Sequence, residues 1–147
     1  MEKILKKFLI AIRGGDYPSL PTDLATEEMI LLLENAIARF PYAKQPLWEF
    51  DPLTGWAFEP SLMEQKILVG LMVEEWLTSA INGLDLATVE MTTNEIKTFS
   101  KTNQIKTIVD WRNTVGEKTQ ADIALYHKTG SDHKPNLYAW GGDGIEG

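Results

Sequence analysis

The chain has 147 residues, of which 44% are hydrophobic and 24% charged, and it contains no cysteine. This composition is that of a single globular domain, and the missing thiols exclude disulfides and thiolate metal sites. Fourteen basic against twenty-one acidic residues give a net charge of -7, which opposes general binding to a nucleic-acid backbone.

The first segment, residues 2–13, predicts a short amphipathic helix that ends at Gly14-Gly15. Its apolar side chains fall on one stripe, with the lysines off it: Ile4, Leu5, Phe8, Leu9 and Ile12. The apolar run is too short for a signal peptide and is interrupted by Arg13, and no segment reaches the roughly 18 apolar residues of a membrane span. A basic helix of this kind suits a membrane surface or an acidic partner, but packing against its own domain is the commoner arrangement.

A second helix is predicted over residues 23–40, with Thr22 or Thr26 as its N-cap and Pro41 as its stop. The apolar positions in helical register are Ile30, Leu33, Ile37 and Phe40. Residues 30–33 are apolar nearly all round the helix, which indicates neighbours on two sides. One of these neighbours could be another subunit.

Helical periodicity stops at residues 41–60, where aromatic residues alternate with others around a turn sequence at 51–55. The pattern predicts a small hairpin or an aromatic loop, and a loop of about twenty residues inside a compact domain tends to be functional. Four rings are candidates for a subunit interface: Trp48, Phe50, Trp56 and Phe58. The alternative is that these rings close one end of the helical bundle.

Residues 62–84 predict the central helix of the fold. It begins with a capping box, in which Ser61 and Glu64 satisfy each other's backbone amides, and Asn82-Gly83 is its predicted stop. The apolar stripe comprises Leu68, Leu71, Met72, Trp76, Ala80 and Ile81. The polar residues lie mainly elsewhere on the helical wheel: Glu64, Lys66, Glu74, Glu75 and Ser79.

Beyond the central helix, residues 88–99 predict a short extended turn or a second hairpin. Ser100 is then predicted to cap a long polar helix that runs to about Lys128 and is terminated by Gly130. The side chains available for burial in it are Ile105, Ile108, Val109, Val115, Ile123 and Tyr126. Gly116 costs about 1 kcal/mol relative to alanine at mid-helix, so its position indicates a bend or the close approach of another backbone.

The last segment, residues 131–147, is rich in glycine and polar residues but contains Leu137, Tyr138 and Trp140. Because it cannot form a core of its own, we expect an extended C-terminal arm whose three large side chains contact a neighbouring subunit or the next ring. A disordered terminus is the alternative. The predicted fold is therefore mainly α, a bundle of about four helices with one or two short β-hairpins and this arm.

No constellation of side chains predicts catalysis. A metal site built on His127 and His133 would need further ligands beyond the neighbouring Asp132, so both histidines are interpreted as surface residues. Glu74 and Glu75 point about 100° apart on a helix and do not face each other, which indicates a solvated edge. The glycine clusters lack the context of a phosphate loop, and neither an enzyme activity nor a cofactor is predicted.

A resemblance lies in residues 71–77, Leu-Met-Val-Glu-Glu-Trp-Leu, and residues 96–105, Ile-Lys-Thr-Phe-Ser-Lys-Thr-Asn-Gln-Ile. These stretches resemble the head-tail connector (neck or adaptor) proteins of tailed bacteriophages, in which a helix with a Glu-Trp-Leu-like element leads into an extended lysine-aromatic-serine turn and a further helix. The resemblance implies that Trp76 is a core anchor and that Ser100 caps the last helix. The tryptophan loop at residues 47–58 and the long C-terminal segment depart from the pattern.

What the resemblance implies is a helical connector domain at residues 1–130 and an arm at residues 131–147. Copies of such a structural virion protein form a dodecameric ring beneath the portal, contact the portal and other neck or tail proteins, and are assembled in the host cytoplasm. DNA passes through without specific binding, which suits an acidic conduit. The alternatives are a tail or baseplate subunit and a soluble helical accessory or regulatory domain.

Overall fold

The computed structural model describes residues 1–14, 20, 22–90 and 95–132, together with their side chains except those of 84–90, 95–101 and 130–132. The described chain forms four helices: α1 Glu2–Arg13, α2 Thr26–Ala38, α3 Leu62–Glu90 and α4 Glu95–Asp132. These ranges contain no β-strand, only an isolated bridge between Asp51 and Gly55. The prediction of a mainly α chain is confirmed, whereas neither predicted hairpin is seen among the described residues.

Helix α3 is the centre of the fold, because each of the other three helices packs against it. Its middle is buried nearly all round, at Ile67, Leu68, Leu71, Met72, Val73, Trp76, Leu77 and Ile81. The rest of the core comes from Ile4, Leu5, Phe8 and Ile12 of α1, Met29, Leu33 and Ala36 of α2, Ile108, Ile123 and Tyr126 of α4, and Leu20, Phe40 and Leu47 outside the helices. The apolar stripe predicted for α3 is thus confirmed, although a helix with neighbours on several sides buries more than one stripe.

The start of α3 is the predicted capping box, but its predicted end is wrong. Ser61 N donates to Glu64 Oε1 at 2.8 Å, and Glu64 N donates to Ser61 Oγ at 3.2 Å. The helix then continues through Asn82-Gly83 to Glu90. A glycine inside a helix costs only about 1 kcal/mol relative to alanine, and an uninterrupted backbone satisfies the carbonyl groups that a helix end would leave unpaired.

Helix α4 is longer than predicted at both ends. It begins at Glu95 and reaches Asp132, so Ser100 lies inside the helix and does not cap it, and Gly130 does not terminate it. Residues 88–90 and 95–99 are helical, so the predicted extended turn or hairpin does not span residues 88–99; its predicted centre lies at residues 91–94, outside the described residues. Extension past the glycine again shows that a single weak helix former does not stop a long helix.

Two glycines mark where α3 and α4 come close together. A Cβ atom on Gly70 would overlap Thr119 Oγ1, and a Cβ on Gly116 would lie 2.9 Å from Glu74 Oε2. The atoms nearest this position at Gly116 belong to the end of the Glu74 side chain, so the predicted close approach of another backbone is wrong. At Gly70 the missing side chain is what lets the two helices pack.

Trp76 connects three helices. Its ring meets the ring of Phe8 in α1 edge-on at 6.4 Å and the ring of Trp111 in α4 at 6.0 Å between centroids. Only 7% of Trp76 is exposed, and edge-to-face ring pairs add stability beyond the area that they bury. The expectation that Trp76 anchors the core between helices agrees with these contacts.

The first two helices follow the sequence pattern more closely. Helix α1 ends at Arg13 and packs against α3, in agreement with the prediction that it belongs to its own domain. Helix α2 has Ala25 rather than either predicted threonine at its N-cap, and Ala25 N donates to Glu28 Oε1 at 3.0 Å. A glutamate at the third helical position can therefore supply half of a capping box where the N-cap residue has no side-chain acceptor.

Candidate functional site: an anchored aromatic loop

Residues 41–60, the aromatic loop, connect α2 to α3. Near its start, Tyr42 adopts a φ of 56°, a left-handed conformation that residues other than glycine rarely adopt. Its side chain is 88% exposed. Such a strained residue persists only where the surrounding structure fixes the chain, so the path of the loop is determined by its contacts.

A tight turn at residues 51–55 forms the tip of the loop. Asp51 and Gly55 exchange both backbone hydrogen bonds, at 2.9 and 2.7 Å, and Leu53 N donates to Asp51 Oδ1 at 2.8 Å. Gly55 has a φ of 84°, a region that favours glycine, and a Cβ there would lie 3.1 Å from the Cβ of Met1. Leu53, between these anchor points, is 89% exposed.

Three of the four loop rings pack inward. The centroids of Phe50 and Trp56 are 4.8 Å apart, those of Trp56 and Phe58 are 6.3 Å apart, and all three rings are half-buried against the core. Trp56 Nε1 donates to the carbonyl oxygen of Leu47 at 2.8 Å, and Leu47 itself is buried. This layer matches the interpretation in which the rings close one end of the bundle.

A buried polar network joins the loop to α3 and α4. The Tyr126 hydroxyl of α4 donates to Glu64 Oε2 at 2.7 Å and accepts from Lys44 N of the loop at 2.8 Å. Lys44 Nζ donates to the Tyr126 carbonyl oxygen at 2.7 Å and lies 3.9 Å from the centre of the Tyr126 ring. Since Glu64 also accepts from Ser61 N, its two oxygens are both used. Glu64 is 1% exposed, which corrects its predicted place on the polar side of the helix.

Burial, and after it the hydrogen bond to Glu64, raise the pKa of Tyr126 to about 12, although the hydrogen bond from Lys44 N acts in the opposite direction. Both effects disfavour the phenolate, because burial penalises a charge and the Glu64 oxygen requires a donor. Tyr126 therefore stays protonated throughout the physiological range. Its role in the network is that of a permanent hydrogen-bond donor and acceptor.

A second set of contacts ties the end of the loop to α1. Gln65 Nε2 donates to the Pro60 carbonyl oxygen, and Lys7 Nζ donates to Gln65 Oε1, both at 2.8 Å. Lys3 Nζ lies 2.6 Å from Glu59 Oε2. The hydrogen bond and charge of Lys3 lower the pKa of the Glu59 carboxyl group, although a pair this exposed adds little stability. The loop is thus held at its start, its middle and its end.

With the loop held in this way, its outward side chains occupy fixed positions. No family model, curated protein or solved structure matches this chain. Its function is therefore inferred from the geometry and charge of its own surface.

The loop separates the four rings predicted as interface residues into two groups. Trp48 is 69% exposed, whereas Phe50, Trp56 and Phe58 form the half-buried layer. Tyr42 and Leu53, which the sequence analysis did not select, are more exposed than Trp48. The turn sequence around Leu53 places it at a loop tip, a signal that could have identified it. The other predicted interface residues lie outside the described residues: Leu137, Tyr138 and Trp140.

Glu74 and Glu75 are not a solvated edge. Arg39, just beyond α2, donates from Nη2 to Glu74 Oε1 at 3.0 Å and from Nη1 to Glu75 Oε1 at 3.1 Å. The two carboxyl groups are 22% and 32% exposed. One planar guanidinium group can bridge two adjacent glutamates because its donors point in different directions, so the pair fastens α2 to α3.

Among the described residues, no other cluster of side chains suggests a catalytic or metal site. His127 contacts the ring of Tyr126 at 5.3 Å between centroids, and His133 lies outside the described residues. No group of three or more possible metal ligands occurs among the described side chains. Within the same part of the chain, no helix is long and apolar enough to cross a membrane.

Two clefts lie beside the helices. A cleft of about 470 Å³ runs between the first turn of α1 and residues 56–60, and one of about 190 Å³ lies where Val69 and Gly70 of α3 face Trp111 and Val115 of α4. The larger volume is within the range of ligand pockets. Of its charged side chains, Lys3 and Glu59 pair with each other, and Glu2 also lies in its lining.

Proposed function

We propose that this chain is a structural virion protein, a subunit of a head-tail connector ring that joins the portal vertex to the tail and forms part of the DNA conduit. The observation that carries the proposal is the aromatic loop. It presents Tyr42, Trp48 and Leu53 to solvent from a backbone that is fixed by hydrogen bonds to Tyr126 of α4 and Gln65 of α3. The resemblance of residues 71–77 to connector proteins supplies the biological setting; residues 96–105, where the same resemblance implied an extended turn and a cap at Ser100, are helical and do not add to it.

A fixed loop with large exposed side chains is what a protein interface requires. Tyrosine and tryptophan contribute much contact area while few rotamers are lost on binding, and a loop that is already ordered avoids most of the entropy cost of association. A loop without a binding role would be better solvated by polar side chains at these positions than by large apolar or aromatic ones. The exposed positions of Tyr42, Trp48 and Leu53 therefore support a role in contacts between proteins.

The charge of the chain supports the conduit part of the proposal. A net charge of -7 repels the phosphate backbone, so a ring of such subunits does not retain DNA that moves through it. The repulsion is screened over about 8 Å at physiological salt. It therefore acts on DNA near the wall of the conduit without requiring specific contacts.

The decisive experiment locates the protein in particles. We expect immunogold labelling or cryo-electron microscopy of intact virions to place it in a ring directly below the portal. Density in the tail tube or baseplate would favour the tail subunit instead. Absence from particles would remove both structural roles and leave the accessory or regulatory domain.

The loop is tested by Trp48→Ser. We expect the variant to keep the melting temperature of the isolated chain, because Trp48 is largely exposed, and to reduce incorporation into particles at least tenfold. Leu125→Ser is the matched control, since Leu125 is a half-exposed apolar residue on α4. Equal incorporation of the two variants would show that Trp48 is not part of an interface.

The arm was predicted to begin at residue 131, but α4 reaches Asp132, so the arm is tested by deletion of residues 133–147. We expect the shortened chain to melt at nearly the same temperature and to be lost from particles, because the arm docks on a neighbouring subunit or ring. Normal incorporation of the shortened chain would refute the docking role.

A further inference from the structure

The outer face of α1 carries a basic stripe with an apolar centre. Lys6, Ile10 and Arg13 are spaced four and three residues apart and so lie on one face of the helix. All three are exposed, and Ile10 is 72% exposed. The helix as a whole contains four basic side chains and one acidic side chain, a charge of +3 within a chain of net charge -7.

The outer face of α2 carries an acidic stripe of the same design. Glu27, Leu31 and Glu34 have the identical spacing of four and three residues; Glu27 is exposed, Leu31 is 60% exposed and Glu34 is half-buried. This helix contains three acidic side chains and no basic one, a charge of -3. Each stripe is therefore a large apolar side chain with a charge one turn before it and one turn after it.

The charged side chains of both stripes are not paired within the described part of the subunit. No ion-pair or hydrogen-bond partner of their side chains occurs among the described residues: Lys6, Arg13, Glu27 and Glu34. Neighbouring charged residues differ in this respect, because Lys3 binds Glu59 and Lys7 binds Gln65. The fold thus uses the basic residues at the side of α1 and leaves the outermost ones available.

We propose that the α1 stripe of one copy docks on the α2 stripe of a second copy of this chain, Ile10 against Leu31. The charges stand about 6 Å and 4.5 Å from the apolar centre along each helix axis, since a residue advances a helix by 1.5 Å. The matched spacing brings each basic residue opposite an acidic one when the two apolar centres meet. This inference rests on the proposed function in one respect, that the chain assembles with itself.

The contact generates a ring when a copy docks its two stripes on two different neighbours, whereas two copies that exchanged both stripes with each other would form a two-fold dimer. Because the two stripes are different patches of one subunit, a copy that uses its α1 stripe still offers its α2 stripe to the next copy. Such heterologous contacts form rings when the rotation between copies closes. Complementary charge also steers the copies into one register and excludes contacts between two α1 stripes or two α2 stripes.

Cysteine cross-linking tests the contact directly, because the native chain contains no cysteine. Purified Ile10→Cys chain is mixed with an affinity-tagged Leu31→Cys chain under mild oxidation. A disulfide forms only where the two Cα atoms come within about 7 Å. We expect the mixed dimer to exceed, at least tenfold, the dimer formed when the second chain carries Thr114→Cys, an exposed position on α4. Equal yields would overturn the proposal.

Charge exchange gives a second test that does not depend on oxidation. A chain with Lys6→Glu and Arg13→Glu, and a chain with Glu27→Lys and Glu34→Lys, each present like charges at the contact. We expect neither chain to self-associate in sedimentation velocity, and an equimolar mixture to associate, because every contact in an alternating ring again pairs opposite charges. Failure of the mixture to associate, with both chains folded by circular dichroism, would overturn the proposal.

A matched control is a chain with Lys106→Glu and Lys128→Glu, two exposed α4 positions that give the same change in net charge. We expect this chain to associate as the native chain does. Loss of association in the control would show that net charge rather than the stripe is responsible. A membrane is the other possible partner of the α1 stripe. It would be indicated if the native chain sedimented with phosphatidylglycerol vesicles, if Lys6→Glu with Arg13→Glu abolished this sedimentation, and if no cross-linking to Leu31→Cys occurred.

These tests are independent of the connector role. Specific cross-linking by a chain that is absent from particles would leave the self-contact standing and remove the proposed function. Presence in a neck ring without specific cross-linking would keep the proposed function and remove this contact.

Discussion

Replacing Tyr126 with phenylalanine removes one hydroxyl group from the interior and leaves the ring in place. Two groups then lose their partner: Glu64 Oε2, at 2.7 Å, and Lys44 N, at 2.8 Å. A buried polar group left unpaired costs about 1 to 3 kcal/mol, and Glu64 is 1% exposed while Lys44 lies nearer the surface. We therefore expect the free energy of unfolding to fall by about 3 kcal/mol.

Urea denaturation followed by tryptophan fluorescence measures this loss. For a domain of this size each kcal/mol lowers the melting temperature by about 2 to 4 °C, so we expect a decrease of roughly 10 °C. Tyr42→Phe is the control, since Tyr42 is almost fully exposed and its variant should unfold as the native chain does. A free energy of unfolding for Tyr126→Phe within about 0.5 kcal/mol of the native value would refute the role of the hydroxyl group.

Alkaline pH tests the same hydrogen-bond network by ionising tyrosine instead of removing its hydroxyl group. An unfolded tyrosine ionises near pH 10.0, whereas folded Tyr126 keeps its proton to about pH 12. Raising the pH through this window therefore favours the unfolded native chain, because only the unfolded state releases the proton there. We expect the stability difference between the native chain and Tyr126→Phe to be constant below pH 10 and to narrow from pH 10 to 12. A constant difference across the window would contradict the buried hydrogen bond.

Three further substitutions probe the packing of the helices, each checked by thermal melting. Trp76→Ala should cost about 3 to 5 kcal/mol, since it leaves a large cavity between α1, α3 and α4; an unchanged melting temperature would disprove this packing. Gly70→Ala should cost about 1 to 3 kcal/mol through overlap with Thr119, and Thr119→Ala in the same chain should recover most of that loss. Gly116→Ala should be nearly neutral, because the flexible end of Glu74 can move and alanine favours the helix by about 1 kcal/mol.

Local sequence signals predicted the parts of the fold that local chemistry determines. The capping box at Ser61 and Glu64 formed as predicted because both of its hydrogen bonds join residues three apart. The stop at Asn82-Gly83 failed because a helix continues when the rest of the chain supports it, and the local penalty is about 1 kcal/mol. A local penalty of this size indicates where a helix can end, but packing with the rest of the chain decides where it does end.

The candidate site was predicted only in part. Aromatic alternation identified the loop and the exposed Trp48, but it could not separate Trp48 from Trp56, because both have the same spacing from other rings. What separates them is the hydrogen bond from Trp56 to Leu47 and the burial of Leu47. The burial of Glu64 could not be predicted either. Its partner Tyr126 is 62 positions away in the sequence, and no residue near Glu64 indicates this contact.

The link between Lys44 and Tyr126 has a consequence for the order in which the protein folds. These residues are separated by 82 positions, and contacts between distant segments form late because a long stretch of chain must first be closed. We expect α1, α2 and α3 to collapse first, and the start of the aromatic loop, around Lys44, to reach its final shape only after the last turns of α4 have docked. Unfinished chains, or chains cleaved within α4, would then display an incompletely shaped loop. In the proposed ring, this order of events would keep incomplete subunits from assembling.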